Sequence, residues 1–233
     1  MVHERVGIKN VGRVAVRLGV FPKMPNELAM VLGAGGTTLL KMTNAHAIIA
    51  NGGKHLEPTL IDRIQNRRGE TVFSRKDVVS VGNLTDLSHV PTLKDLRAQV
   101  VDPIVNYQMI SFLEGVVQRG TGRQLIDIHY PLAGKTGTTN DFKDAWFVGF
   151  SSDLVVGVYI GFDHPRYMGR HQGGANVALP VAKNFFLQAL KDTTPIPFRV
   201  PSGVKLMRVN VETGRSATSS DANVIWEAFK PGT

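Results

Sequence analysis

The sequence predicts an α/β chain in which an antiparallel sheet is flanked by helices. Three observations carry this. Apolar residues recur at helical spacing over residues 7–18, 39–50, 102–117 and 177–190. Short apolar runs at 132–136, 144–150 and 154–162 have strand length. The last two runs are joined by Ser151-Ser152-Asp153, a hairpin turn, which makes them antiparallel neighbours.

In the first segment Ile8, Val11, Val14, Ala15 and Leu18 form one helical face, and Gly19 ends it. A proline-containing loop, Phe21 to Pro25, follows. Thr37 or Thr38 can cap a second helix from Leu39 to Ala50, and Asn51-Gly52-Gly53 stops it. Leu39, Leu40, Met42, Ala45, Ala47, Ile48 and Ile49 leave that helix little polar face, so it is expected to be buried. Leu60 to Ile64 and Thr71 to Phe73 read as a hairpin around Asn66-Arg67-Arg68-Gly69. Residues 75–99 are polar and weakly patterned, and read as a surface excursion.

Asp102-Pro103 starts a third helix, with Asp as cap and Pro in the first turn. Its apolar face holds Ile104, Val105, Met109, Phe112, Leu113, Val116 and Val117, and Gly120-Thr121-Gly122 stops it. Three strands follow at 132–136, 144–150 and 154–162. The nearly continuous run Val155, Val156, Val158, Tyr159, Ile160 is that of a strand buried on both faces. A glycine-rich loop, Gly169 to Gly174, leads to the closing helix, Val177 to Leu190, where Pro180 is tolerated near the start. After Lys191, Pro195, Pro197 and Pro201 punctuate a linker, and Lys205 to Val211 reads as a strand turning at Glu212-Thr213-Gly214. The organisation is therefore a domain over 1–191 and a linker and tail over 192–233.

Composition removes several function classes. The chain has 233 residues, 42% of them hydrophobic and 20% charged, as in a globular protein rather than a disordered one. It has no cysteine, which excludes disulfide frameworks, iron–sulfur clusters, cysteine zinc sites and cysteine nucleophiles. The seven histidines show no i, i+4 helical pairing, so no metal site is expected. His164 and His171 flank a loop that could lie near the cleft, and are read as ordinary loop residues. The net charge of +8 comes from dispersed lysine and arginine, without an arginine-rich arm or a helix-turn-helix signature, so nucleic acid is not expected as a partner. The sequence opens without an apolar run of signal-peptide length, and none reaches membrane-span length.

The chemistry centres on Gly134-Lys135-Thr136-Gly137-Thr138-Thr139-Asn140. A nucleotide-binding phosphate loop needs a glycine five residues before Gly134, and His129 stands there. The other reading is an edge strand. Its lysine and threonine hydroxyl bind a carboxylate, its glycine admits a ligand close to the backbone, and the N–H two residues after Thr136 stabilises an oxyanion. Lys-Thr-Gly is the third motif of β-lactamases and penicillin-binding proteins. Alone it is weak, arising by chance in roughly one chain in twenty of this size.

Its context is more specific. The run from Ala133 to Gly161 resembles the class A penicillin-binding proteins, the bifunctional peptidoglycan synthases. The same holds for Val116-Val117-Gln118-Arg119-Gly120-Thr121-Gly122, for Leu32-Gly33-Ala34-Gly35 with Thr38-Leu39-Leu40-Lys41-Met42, and for Ile49-Ala50-Asn51-Gly52-Gly53 followed by Pro58-Thr59-Leu60-Ile61. Glu227 to Thr233 is similar to that family's C-terminal region. The resemblance implies an α+β sandwich of the penicillin-binding transpeptidase and serine β-lactamase type. It implies D,D-transpeptidation of peptidoglycan stem peptides, with β-lactams as alternative ligands and no cofactor. Lys135 and Thr136 would hold the ligand carboxylate, Gly137 would be the close-approach position, and Thr138 would give its backbone N–H to the oxyanion hole. Asp144 and Trp146 would be structural, and Lys41 a surface residue.

Two parts of that family's machinery are not found. No Ser-x-x-Lys precedes Lys135, and no Ser-x-Asn occurs anywhere. Ser202-Gly203-Val204-Lys205 has the right spelling, but its position and its Pro201 and Gly203 argue against the helix such a nucleophile needs. Ser220-Asp221-Ala222-Asn223 has the wrong spacing. The expectation is a truncated C-terminal part of a transpeptidase domain, inactive alone. The parent is expected in the bacterial inner membrane with this domain in the periplasm. The alternatives are a non-catalytic peptidoglycan- or partner-binding module, or half of a split enzyme whose N-terminal fragment, or a homologous synthase, is its partner.

Overall fold

The computed structural model describes residues 5–75, 77–81 and 92–232. Helix α1 spans Ile8–Arg17 and ends at Gly19, whose φ of 74° needs a residue without a Cβ. A 3₁₀ turn at Leu28–Leu32 follows, within a stretch that the sequence pattern leaves unassigned. Helix α2 spans Leu39–Ala50, and the Thr38 hydroxyl accepts from the Lys41 N–H at its start. Strands β1 (Arg63–Gln65) and β2 (Thr71–Ser74) form the expected hairpin, beginning later than Leu60.

The described part of the 75–99 excursion holds two strands that its polarity does not suggest. Strands β3 (Val78–Val81) and β4 (Thr92–Asp95) pair antiparallel within it, while residues 76 and 82–91 lie outside the described residues. Asp95 binds both Lys54 (2.8 Å) and Arg97 (2.9 Å), and the hydrogen bonds from Arg97 hold its carboxyl well below the usual range. These side-chain pairings fix a segment that apolar periodicity cannot report.

Helix α3 spans Pro103–Arg119, and Asp102 caps it by accepting from the Ile104 and Val105 N–H groups at 3.0 Å. A 3₁₀ turn, Arg123–Ile128, leads to the central sheet. Strands β5 (Ala133–Thr138), β6 (Asp144–Phe150) and β7 (Val155–Gly161) are consecutive antiparallel neighbours. β5 runs two residues beyond the predicted Thr136. A π-helical turn at Gly174–Ala178 then feeds α4, Leu179–Ala189. Strands β8 (Lys205–Asn210) and β9 (Val224–Phe229) close the chain as a ribbon. β9 is the element that the mixed composition of the last residues conceals.

Alternation along β6 divides the core into two layers. Ala145 and Phe147 face Ala178, Leu179, Ala182 and Phe186 of the closing helical segment. Phe150, with Ala133 on β5, faces Ile110 and Leu113 of α3, Ile49 and Ala50 of α2, and Phe198. The Phe150 and Phe198 rings meet edge to face at 5.6 Å. Phe147, Phe150 and Phe186 are fully buried, and truncating any of them to Ala is expected to cost about 3–5 kcal/mol. The result is the predicted sandwich, an antiparallel sheet between helical layers.

Two burial expectations are corrected. α2 is not buried throughout: it inserts Ala45 and Ile48, while Leu40 is 63% exposed. It leans on the sheet along one side only. β7 is not buried on both faces either, since Tyr159 is 41% exposed and Val156 is its one buried residue. β7 ends the sheet, and its outer edge has no partner strand among the described residues.

Candidate functional site: the β5 edge

β5 is the other edge of the sheet, and the Lys-Thr-Gly-Thr run occupies its last four positions. Beyond the strand, the Thr139 N–H donates to the Asp144 carbonyl at 3.1 Å. An antiparallel ladder alternates between residues whose N–H points inward and residues whose N–H points outward. Counting back from Thr139, Gly137 and Lys135 face β6, whereas the N–H groups of Thr138 and Thr136 face the open edge. This backbone arrangement can receive an extended ligand and can offer the Thr138 N–H to an oxyanion.

The side chains are set from both sides of the strand. Lys135 is exposed, and its Nζ donates to the Thr136 carbonyl at 2.9 Å. The Thr136 and Thr121 hydroxyls are 2.8 Å apart. Thr121 lies in the glycine-flanked stop after α3, which the sequence reading treats only as a terminator; its place in the run Val116–Gly122 was the available signal. The Thr138 hydroxyl accepts from the Gly174 N–H at 2.9 Å. It is therefore held by the segment leading into α4 as well as available to a ligand. At Gly137 a Cβ would stand 3.1 Å from the Trp146 Cβ, and at Gly134 one would stand 2.7 Å from the Val148 carbonyl. Glycine at these positions lets β5 lie close against β6.

The turn after β5 is built by hydrogen bonds. The Thr139 hydroxyl accepts from the Lys143 and Asp144 N–H groups at 2.9 Å each. Asp144 accepts from the Tyr159 hydroxyl at 2.7 Å, and Trp146 packs edge to face on Tyr159 at 5.0 Å. The hydrogen bond to Asp144 raises the Tyr159 phenol above its ordinary pKa. Asp144 and Trp146 thus brace β6 against β7, and Lys41 is exposed on α2.

The two decoys are ordinary surface features. Ser202 and Gly203 form a turn with Gly203 at φ 88°, and Lys205 begins β8, so the pair does not share a helix. Asp221 caps a turn by accepting from the Thr218 N–H and hydroxyl. No group of three or more potential metal ligands occurs among the described residues. No helix among them is long and apolar enough to cross a membrane.

The sandwich agrees with what comparisons with known proteins show. The chain belongs to the penicillin binding protein transpeptidase domain family, whose model matches residues 27–187. It is 40% identical over 236 aligned residues to penicillin-binding protein 1A of Rickettsia conorii, an alignment covering 98% of this chain and 29% of that protein. The chain therefore spans under a third of that relative's length. Among solved structures it is similar to penicillin-binding protein 1A from Haemophilus influenzae, with a TM-score of 0.82 and 26% identity over 99% of this chain and 38% of that one. The penicillin-binding protein PonA1 from Mycobacterium tuberculosis shares the fold, with a TM-score of 0.65 and 21% identity over 85% of this chain and 54% of that one.

Proposed function

We propose that this chain supplies the carboxylate-binding and oxyanion side of a peptidoglycan D,D-transpeptidase site. The observation that carries the reading is the outward-facing Thr138 N–H on an open edge strand that also presents Lys135 and Thr136. Lys135 and Thr136 hold the terminal carboxylate of a stem peptide or of a β-lactam. Gly137 lets the ligand approach the backbone, and Thr138 donates its N–H to the oxygen of the tetrahedral intermediate. Acyl transfer also needs a nucleophilic serine activated by a base. The 233 residues hold no Ser-x-x-Lys ahead of Lys135 and no Ser-x-Asn, so that half of the chemistry comes from outside them. In the parent protein the site faces the periplasm, where the stem peptides are. The segment 1–191 is the transpeptidase part, and the linker and tail of 192–233 are packed onto it, Phe198 against Phe150 and β9 along α3.

The test is intact-mass analysis of the folded chain after incubation with a penicillin, alone and with a polypeptide carrying the two missing motifs. Alone it forms no covalent adduct. With the second polypeptide, the adduct forms on the added serine and is lost with Lys135→Ala. A stoichiometric adduct on Ser202 of the chain alone would overturn the division of labour proposed here.

A further inference from the structure

We infer that Gln124 is a positioning residue for the oxyanion donor: it completes the π-helical turn from outside, and that turn holds Thr138. The inference rests on the proposed function and deepens it.

A π-helical turn is closed by N–H groups that donate to carbonyls five residues earlier. Here the Leu179 N–H donates to the Gly174 carbonyl. The next bond in that register would run from residue 180 to the Ala175 carbonyl, but residue 180 is proline and has no N–H. The Ala175 carbonyl therefore needs a donor from elsewhere, since a backbone carbonyl without a partner is costly away from water. The Gln124 side chain supplies it: its Nε2 donates to the Ala175 carbonyl at 3.0 Å.

Gln124 is itself exposed, but the 3₁₀ turn that carries it, Arg123–Ile128, is a fixed base. Leu125, 1% exposed, inserts into the core layer that also holds Ala178 and Leu179. The Leu125 N–H donates to the Gly122 carbonyl and the Gly122 N–H to the Val116 carbonyl, each at 3.0 Å, which ties the turn to the end of α3. On the far side of the π-helical turn, the Gly174 N–H donates to the Thr138 hydroxyl at 2.9 Å. Gly173 fits as closely: a Cβ there would lie 2.8 Å from the Thr138 hydroxyl oxygen. Gly174 and Ala175 are neighbours in the chain, so a displaced Ala175 carbonyl moves the group that holds Thr138. The same base reaches the other end of the site through the 2.8 Å contact of the Thr121 and Thr136 hydroxyls. Residues 121–124 are thus a common reference for the carboxylate end and the oxyanion end of β5. Such a reference matters because a donor displaced by a fraction of an ångström from the developing charge loses rate.

The test compares three variants. Gln124→Glu keeps the side-chain length but offers only acceptors at neutral pH, and Gln124→Lys restores a donor. Lys183→Gln is the control: it removes the 3.0 Å Lys183–Asp127 pair, which joins the same 3₁₀ turn to α4 without touching Ala175. Two quantities are read. One is the Thr138 and Gly174 amide signals of the chain by NMR. The other is acylation by benzylpenicillin in the complex with the polypeptide carrying the two missing motifs, resolved into a dissociation constant and a rate constant. Gln124→Glu is expected to shift both amide signals and to slow acylation about threefold to tenfold, as for one lost hydrogen bond, with the dissociation constant unchanged. The split arises because the oxyanion contact forms only in the transition state. Gln124→Lys recovers most of the rate, and Lys183→Gln leaves the rate and the Thr138 signal at wild-type values. Unmoved amide signals in Gln124→Glu, or moved signals with a wild-type rate, overturn this inference and leave the proposed function intact. An equal loss of rate in Lys183→Gln does the same, because it marks a merely structural role. A wild-type complex that forms no adduct overturns the proposed function and this inference with it.

Discussion

Replacing Gly174 by Ala tests how tightly the segment leading into α4 is fitted to the site strand. Gly174 is buried in the π-helical turn. A Cβ there would lie 2.3 Å from the Trp146 carbonyl oxygen, 2.5 Å from the Gly137 carbonyl oxygen and 3.0 Å from the Gly137 nitrogen. These atoms belong to the backbones of two paired strands and cannot swing aside as a side-chain tip can. Overpacking of this kind costs about 1–3 kcal/mol. Displacement also loosens the Gly174–Thr138 hydrogen bond, worth about 1 kcal/mol. The gain from restricting the unfolded chain offsets about 0.4–1 kcal/mol. The net expectation is a loss of about 2 kcal/mol, which for a chain of this size lowers Tm by roughly 4–8 °C. Circular-dichroism melts of dilute protein measure it. Gly36→Ala is the control, because a Cβ there meets nothing within 4 Å. A Gly174→Ala Tm within about 1 °C of wild type would show that the turn moves freely over β5, and would refute the claim that it fixes Thr138.

Three further expectations concern stability. Burial raises the Glu114 carboxyl to about 7, so between its unfolded value and that point the folded chain holds a proton the unfolded chain releases. Stability from this group therefore falls as pH rises from about 4.5 to 7, and Glu114→Gln should flatten that part of the Tm–pH curve; an unchanged curve would refute it. Asp102→Ala removes the α3 cap and should lose about 1–2 kcal/mol in denaturant melts, while Asp102→Asn keeps most of it; equal losses would point to the Lys230 contact instead. The exposed leucines at 32, 40 and 60, together with a β7 edge that has no partner strand among the described residues, should make the isolated chain self-associate in light scattering. A stable monomer at high concentration would count against this.

Sequence legibility followed the physical signal. Among the described residues all four helices carried apolar spacing, α2 and α3 also a side-chain cap, and α1, α2 and α3 a glycine stop, so their positions could be read within a few residues. The central strands carried apolar runs and a three-residue turn. Burial was less legible, because composition does not say which side of α2 or β7 meets another element. β3, β4 and β9 were missed for a related reason. They are held by pairing and by side chains distant in sequence, such as Lys54 on Asp95 and Gln108 on the Ala228 carbonyl. At the site, Lys135 to Thr138 announced themselves by residue type. The outward direction of the Thr138 N–H depends on ladder register, and the Thr121 and Gly174 contacts depend on tertiary folding.

The β8–β9 ribbon bears on how the molecule assembles. β9 lies along α3: Gln108 donates to the Ala228 carbonyl, Arg119 pairs with Glu227, and Lys230 reaches Asp102 at the helix start. These contacts join residues 120, 108 and 128 positions apart. On a growing chain, α3 and β5 leave the ribosome long before β9 does. Until then the guanidinium of Arg119 lacks its carboxylate, and the α3 surface that will receive β9 stays wet. Closing so long a loop adds little equilibrium entropy cost, since that cost grows only logarithmically, but it places the event late. The helix behind the ligand strand thus acquires its final bracing after the strand itself has been made.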